Sequence, residues 1–230
     1  MVRGHTGIDA VLFDMDGLMF DTERVAYEML RAVCSVRGLD FTLDMKRQMC
    51  GANFAVSAQI FKQAFATQDP HFSFAECWGE VRQKMHDQFS AHGVPCKAGL
   101  RTLLDFLRKQ GIYAAVVSGS ATAAVQKYVD MAGLTAYFSA IVGGTEIPAP
   151  KPAPDGFLLA AEWMGVDPAH CLVLEDSGRG LQAAYRAGMH AIWIPDLDIP
   201  NAEIIQRVDA VCQTLYEVID WLEPSKSPHR

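Results

Sequence analysis

The stretch Ile8-Asp9-Ala10-Val11-Leu12-Phe13-Asp14-Met15-Asp16-Gly17-Leu18-Met19-Phe20-Asp21-Thr22-Glu23 decides the fold. An apolar run climbs to two aspartates one residue apart and then meets a glycine. Val11, Leu12 and Phe13 have the pattern of a buried strand, with Ile8 and Ala10 leading in. Asp14 stands where that strand ends. Gly17 lets the chain turn sharply and bring its backbone close to something small. Carboxylates at the carboxyl end of a central strand lie where open α/β sheets bind ligands. Taken alone, Asp-x-Asp-Gly is also an ordinary acidic turn, because Asp and Gly are common turn residues. The downstream chain has to decide between the two.

From residue 21 to residue 92 the apolar spacing is helical and no strand pattern occurs. Helices are expected over 21–38, 42–50, 53–67 and 73–91, with Asp21 or Thr22 capping the first and Gly38 stopping it. The stretch Gly93-Val94-Pro95-Cys96-Lys97-Ala98-Gly99 then interrupts the pattern as a linker does. Beyond it strands and helices alternate. Helices are expected over 100–110, 121–131, 154–164 and 180–187, and strands over 112–117, 140–142, 171–174 and 190–194. A short helix and a last one over 214–222 close the chain. Such alternation means a mostly parallel sheet covered on both faces. The expected architecture is a Rossmann-like three-layer α/β core, residues 1–20 and 95–230, with an all-helical cap, residues 21–94, inserted after the first strand.

Composition sets the outer bounds. Half of the 230 residues are apolar, enough for a substantial core. The formal net charge is −7 and no basic block occurs, which argues against nucleic acid or an anionic membrane as partner. Cys34, Cys50, Cys77, Cys96, Cys171 and Cys212 form no Cys-x-x-Cys pair and are read as reduced thiols. No apolar signal core precedes Ile8, and no apolar run reaches membrane-spanning length. A cytoplasmic protein, monomeric or weakly dimeric, is expected.

Polar residues gather at the carboxyl end of one expected strand after another. Asp14 and Asp16 follow the first, Ser118 and Gly119 follow Val116-Val117, and Glu175 and Asp176 follow Val173-Leu174. Lys151 lies between prolines just ahead of a helix. Parallel strands place all their carboxyl ends on one edge, so these residues can converge. Two carboxylates about 4 Å apart repel by roughly 4 kcal/mol at an effective dielectric of 20. Such a cluster calls for a cation, and hard oxygen donors without neighbouring His or Cys point to Mg²⁺. With the ammonium of Lys151, the hydroxyl of Ser118 and N–H groups near Gly119, the ligand that suits the set is a phosphoryl group. One carboxylate can attack phosphorus, and a second can protonate the leaving oxygen and later deprotonate water. Each residue also has a plain reading. Ser118 can open a loop, Lys151 can be a solvated loop lysine, and Glu175-Asp176-Ser177 can be helix-capping chemistry.

Asp14-Met15-Asp16-Gly17, Ser118, Lys151-Pro152 and Glu175-Asp176, in this order, resemble the four motifs of the haloacid dehalogenase-like (HAD) superfamily. The subgroup with a helical cap after the first motif, which includes β-phosphoglucomutases and phosphatases, is the nearest in pattern. The resemblance implies Asp14 as nucleophile, Asp16 as general acid/base, and Ser118 and Lys151 as phosphate ligands. It implies Asp176 as a metal ligand, the backbone carbonyl of Asp16 as another, and Glu175 as a support behind the metal. It also places a cap loop near Gly51 over the site, with Asn53 as a candidate substrate contact. Asp21 and Glu23, near the first hinge, are read as capping residues.

Within that resemblance Asp16 argues against halide displacement, which has no use for a second acid. The mutase pattern has a histidine where this chain has Ala26 and an arginine where it has Phe54, so a sugar phosphomutase is the lesser alternative. A phospho-acceptor regulatory domain shares the acids, the hydroxyl and the lysine, but it has neither the cap nor the paired aspartates. The expected function is a Mg²⁺-dependent phosphomonoesterase acting on a small phosphorylated metabolite, a sugar phosphate or mononucleotide, through an aspartyl-phosphate on Asp14.

Overall fold

β1 (Ala10–Phe13) is buried at all four positions, because it runs through the middle of a sheet covered on both sides. The structure is a computed structural model that describes residues 7–50, 54–69 and 73–223. After β1 come four helices, with no strand between them among the described residues: α1 (Thr22–Val36), α2 (Leu43–Met49), α3 (Phe54–Phe65) and α4 (Phe74–His92). Alternation begins with α5 (Leu100–Gln110). It continues through β2 (Tyr113–Val117), α6 (Thr122–Met131), β3 (Ala140–Val142), α7 (Asp155–Met164), β4 (Cys171–Glu175), α8 (Gly178–Arg186) and β5 (His190–Trp193). The chain ends with α9 (Ala202–Ile205), β6 (Ala210–Val211) and α10 (Leu215–Leu222). The strands form one parallel sheet in the order β3-β2-β1-β4-β5-β6. The chain departs from β1 in both directions, which opens a crevice at its carboxyl end.

Side-chain alternation along the strands builds two apolar layers. Val11, Phe13, Val116, Leu172, Leu174 and Ile192 face α5, α6 and α10, whose inward residues include Leu103, Leu107, Val125, Val129, Leu215 and Val218. Ala10, Leu12, Ala115, Val117 and Val173 face α7 and α8 through Phe157, Ala160, Ala161, Leu181 and Ala184. Helix, sheet and helix therefore make the three-layer α/β core expected from the pattern.

The helical stretch carries its own aromatic centre. The rings of Phe41 and Phe61 lie 5.1 Å apart, and those of Phe61 and Phe74 4.7 Å apart. Two crossings join this stretch to the sheet, and they run side by side. The N–H of Asp21 donates to Pro95 O at 2.9 Å, and the N–H of Lys97 donates to Met19 O at 2.9 Å. Among the described residues no helix is long and apolar enough to cross a membrane.

Two expectations need correction. Neither Asp21 nor Thr22 caps α1 with its side chain; both are drawn instead to partners outside the helix. β6 has two residues, too few to leave a period in the sequence.

Candidate active site

Strand register assembles the site. Phe13 pairs with Val116 on one side and Leu174 on the other, so Asp14 continues β1 beside Val117 and Glu175. Lys151 arrives on the loop between β3 and α7. Its Nζ donates to Asp14 Oδ1 and Glu175 Oε1, both at 2.5 Å, and lies 3.3 Å from Val117 O. The ammonium also sits 4.8 Å from the centre of the Phe157 ring, which closes the apolar side of its pocket. A lysine flanked by prolines is thus held, with 14% of its side chain exposed, between two acids.

Asp14, Glu175 and Asp176 each offer an oxygen within 4.8 Å of the others, and all three are buried. Glu175 is held from several sides. Its Oε2 accepts from the N–H and the hydroxyl of Ser177, both at 2.9 Å, while Oε1 faces Lys151. A Cβ on Gly180 would overlap this carboxylate, so the first turn of α8 needs a glycine there. Gly17 meets a similar demand. Its φ is +89°, and a Cβ would strike the Asp176 carboxylate. The small object that Gly17 approaches is therefore a side chain of the site itself.

Asp16 points elsewhere. Its Oδ1 accepts from the Thr22 hydroxyl at 2.7 Å and its Oδ2 from the Ser120 hydroxyl at 3.0 Å. Its carboxylate thus stands outside the acidic trio. Ser118 is buried at the end of β2, where its Oγ accepts from the N–H of Ser120 at 3.1 Å. Gly119 lies between them in the same loop. Asn53 falls outside the described residues.

Burial raises the acids. It pushes Asp14 up to about 8, with Lys151 pulling down and Glu175 adding to the rise. Asp176 stands well above the usual carboxylate range, through burial first and then Glu175 and Asp14. Asp16 is raised by burial and by Glu23, against the hydrogen bonds from Thr22 and Ser120. Burial lowers Lys151, but Asp14 and Glu175 outweigh it and hold the ammonium above its ordinary range. One lysine does not neutralise three buried acids. Oxygen donors this close, with no nitrogen or sulfur among them, fit a hard divalent cation.

Several residues at the site went unread in the sequence. Thr22 was seen as a cap, yet its hydroxyl serves Asp16. Ser120 differs from Ser118 by two positions, and only the loop's curvature turns it toward Asp16. Glu23, read as a capping residue, is ion-paired with Lys46 of α2, which is buried. Asp196 follows β5 and receives Lys97 at 2.8 Å and Arg24 at 3.3 Å. Opposite charges far apart in the chain leave no periodic signal.

A family profile, haloacid dehalogenase-like hydrolase, matches residues 11–194. A fructose-1-phosphate phosphatase of Escherichia coli is 34% identical over 79% of this chain and 94% of its own. A phosphorylated carbohydrates phosphatase of Thermotoga maritima is 28% identical over 81% of this chain and 84% of its own. The crystal structure of a predicted phosphoglycolate phosphatase from Haemophilus somnus superposes with a TM-score of 0.77 at 19% identity, covering 95% of this chain and 99% of that one. The six-stranded parallel sheet, the helices inserted after β1 and the acids at the strand ends have one common explanation: the chain belongs to the haloacid dehalogenase-like hydrolases.

Proposed function

We propose that this HAD-family phosphatase hydrolyses a small phosphorylated metabolite, a sugar phosphate or mononucleotide, in a Mg²⁺-dependent reaction through an aspartyl-phosphate on Asp14. The observation that carries the reading is the placement of Lys151 Nζ at 2.5 Å from both Asp14 and Glu175, at the edge where Asp176 also lies. The residues that would hold Mg²⁺ are Asp14, Asp176 and the backbone carbonyl of Asp16, with Glu175 fixed behind them. The cation, when bound, would offset carboxylate repulsion and the negative charge of the phosphoryl oxygens.

The remaining chemistry belongs to side chains. An Asp14 oxygen forms a bond to phosphorus while the bond from phosphorus to the ester oxygen breaks. Asp16, raised and so able to carry a proton, gives it to that oxygen. Asp16 then takes a proton from water as the water oxygen bonds to phosphorus and the Asp14–phosphorus bond breaks, leaving inorganic phosphate. Thr22 and Ser120 hold Asp16 in one orientation through both halves. Lys151, the Ser118 hydroxyl and the N–H groups of the 118–120 loop stabilise the phosphoryl oxygens. Residues 21–94 act as a cap hinged on the two paired crossings, closing over the core of residues 1–20 and 95–230 to limit water. Asn53 remains a candidate substrate contact of that cap.

A mutase needs a grip for a second phosphate, and the position of the mutase arginine holds Phe54, an exposed apolar side chain that offers none. Purified protein should turn over p-nitrophenyl phosphate with Mg²⁺ and stop with EDTA, and a panel of sugar phosphates and mononucleotides would name the substrate. Labelling of Asp14 without turnover would overturn the reading in favour of a switch.

A further inference from the structure

Asp196 is the residue that neither the family motifs nor the reaction above account for. It follows β5, and its side chain is 2% exposed. The two carboxylate oxygens have opposite surroundings. Oδ1 meets the ammonium of Lys97 and the guanidinium of Arg24, and Lys97 in turn pairs with Asp21 at 3.1 Å. Oδ2 is buried and has no hydrogen-bond partner among the described residues. A buried, unpartnered carboxylate oxygen is costly, so a function is expected of it.

The direction of Oδ2 is informative. A Cβ placed on Gly17 would lie 3.3 Å from Asp196 Oδ2 and would overlap Asp176 Oδ2. The two carboxylates thus converge beside the Cα of Gly17, where Asp176 already fills the place of a side chain. Two acid oxygens this close need a donor between them, and a water carried in by the cation supplies one. Asp176 is also the acid assigned to the cation.

We propose that Asp196 is a positioning residue for the cation site, its Oδ2 accepting a hydrogen bond from a water that the bound cation holds beside Asp176. Oδ1 anchors the same carboxylate to Lys97 and Arg24, and through these cations to Asp21, at the crossings between the helical stretch and the sheet. The hinge and the cation site then share one side chain. Partners behind metal ligands typically contribute about 10- to 100-fold to metal affinity. This inference rests on the proposed cation site, and the test separates the two.

Mg²⁺ binding is measured by titration calorimetry on the full chain, without substrate, alongside melting curves in EDTA. Wild-type protein should bind one Mg²⁺. Asp196→Asn keeps the shape and the Oδ1 acceptor but weakens the charge at Oδ2, and should raise the Mg²⁺ Kd about tenfold with a folded circular-dichroism spectrum. Lys97→Met, which strips a positive charge from Oδ1, should tighten Mg²⁺ binding roughly threefold. The opposite signs exclude a merely structural role, which would shift the EDTA melting temperature and leave Kd alone. Should Asp196→Asn fail to fold, Lys97→Met decides by itself. An unchanged Kd in the folded variants, with Mg²⁺ still bound by wild type, overturns the role of Asp196 and spares the cation site. No Mg²⁺ binding by wild type overturns both.

Discussion

The edge of the sheet and the helical stretch of residues 22–92 organise polar groups in opposite ways. At the sheet edge each acid is placed by backbone register: Asp14 by β1, Glu175 and Asp176 by β4, with β2 bringing Ser118 alongside. Glycines at 17 and 180 leave no slack around the Asp176 and Glu175 carboxylates. In the helical stretch the interior is aromatic, and its buried ion pair, Lys46 with Glu23, joins two side chains across helices. Backbone-placed groups suit a reaction whose geometry cannot vary. Packing-placed groups are fixed less tightly, which suits the cap proposed above.

The hardest way to break this contrast is at Asp14, the proposed nucleophile. Asp14→Asn should bring turnover of any phosphate ester to the assay floor. At neutral pH it should leave the metal-free melting curve nearly unchanged, because burial holds Asp14 up to about 8 and a neutral amide resembles its protonated form. Normal activity would remove Asp14 from its role. Asp16→Asn should cost about 10²- to 10⁴-fold with an alkyl phosphate and much less with p-nitrophenyl phosphate, whose leaving group needs little protonation. Equal losses on both substrates would contradict the acid role.

A titration of the metal-free protein sharpens the electrostatic half of the contrast. Asp14 has a folded pKa of about 8 against an unfolded value of about 3.9. Between these values the folded chain holds a proton that the unfolded chain lacks. The stability this contributes is complete below about pH 4 and is lost as pH rises through about 8. The melting temperature in EDTA should therefore fall from pH 5 to pH 8. Saturating Mg²⁺ should reduce the fall, and Asp14→Asn should make it shallower, leaving the share that belongs to Asp176 and Asp16. A flat profile in the wild-type protein would show that burial does not govern Asp14.

The same contrast explains what could be read from sequence. Residues 100–110 and 140–142 were expected as a helix and a strand, and the structure has both at those bounds, because each has a clean period and a glycine or loop beside it. The convergence of Asp14, Lys151, Glu175 and Asp176 was legible because parallel strands share one carboxyl edge. The partners of Asp16 were not. A hydroxyl six residues on, at Thr22, meets its target only through the tight turn of residues 15–20. The pairing of Glu23 with Lys46 was equally hidden, since it depends on how α1 and α2 are packed rather than on any spacing.

That pair supplies the mildest test. Lys46 is buried against Glu23, and burial lowers its ammonium less than Glu23 raises it together with Cys50 and Asp16. Removing one partner of such a pair leaves a charge uncompensated, whereas removing both often costs little. Lys46→Met should lower stability by about 2 kcal/mol, a fall of roughly 4–8 °C in melting temperature for a chain of this size. Glu23→Gln combined with Lys46→Met should recover most of that loss, and the coupling from the double-mutant cycle should exceed about 0.5 kcal/mol. Mg²⁺ affinity should change less than in Asp196→Asn, because Lys46 is ion-paired with Glu23 and reaches the sheet edge only through the charge it shares with Asp16. If Lys46→Met abolished turnover while its melting curve stayed put, the division between the two regions would fail, and α2 would have to be counted within the reacting site.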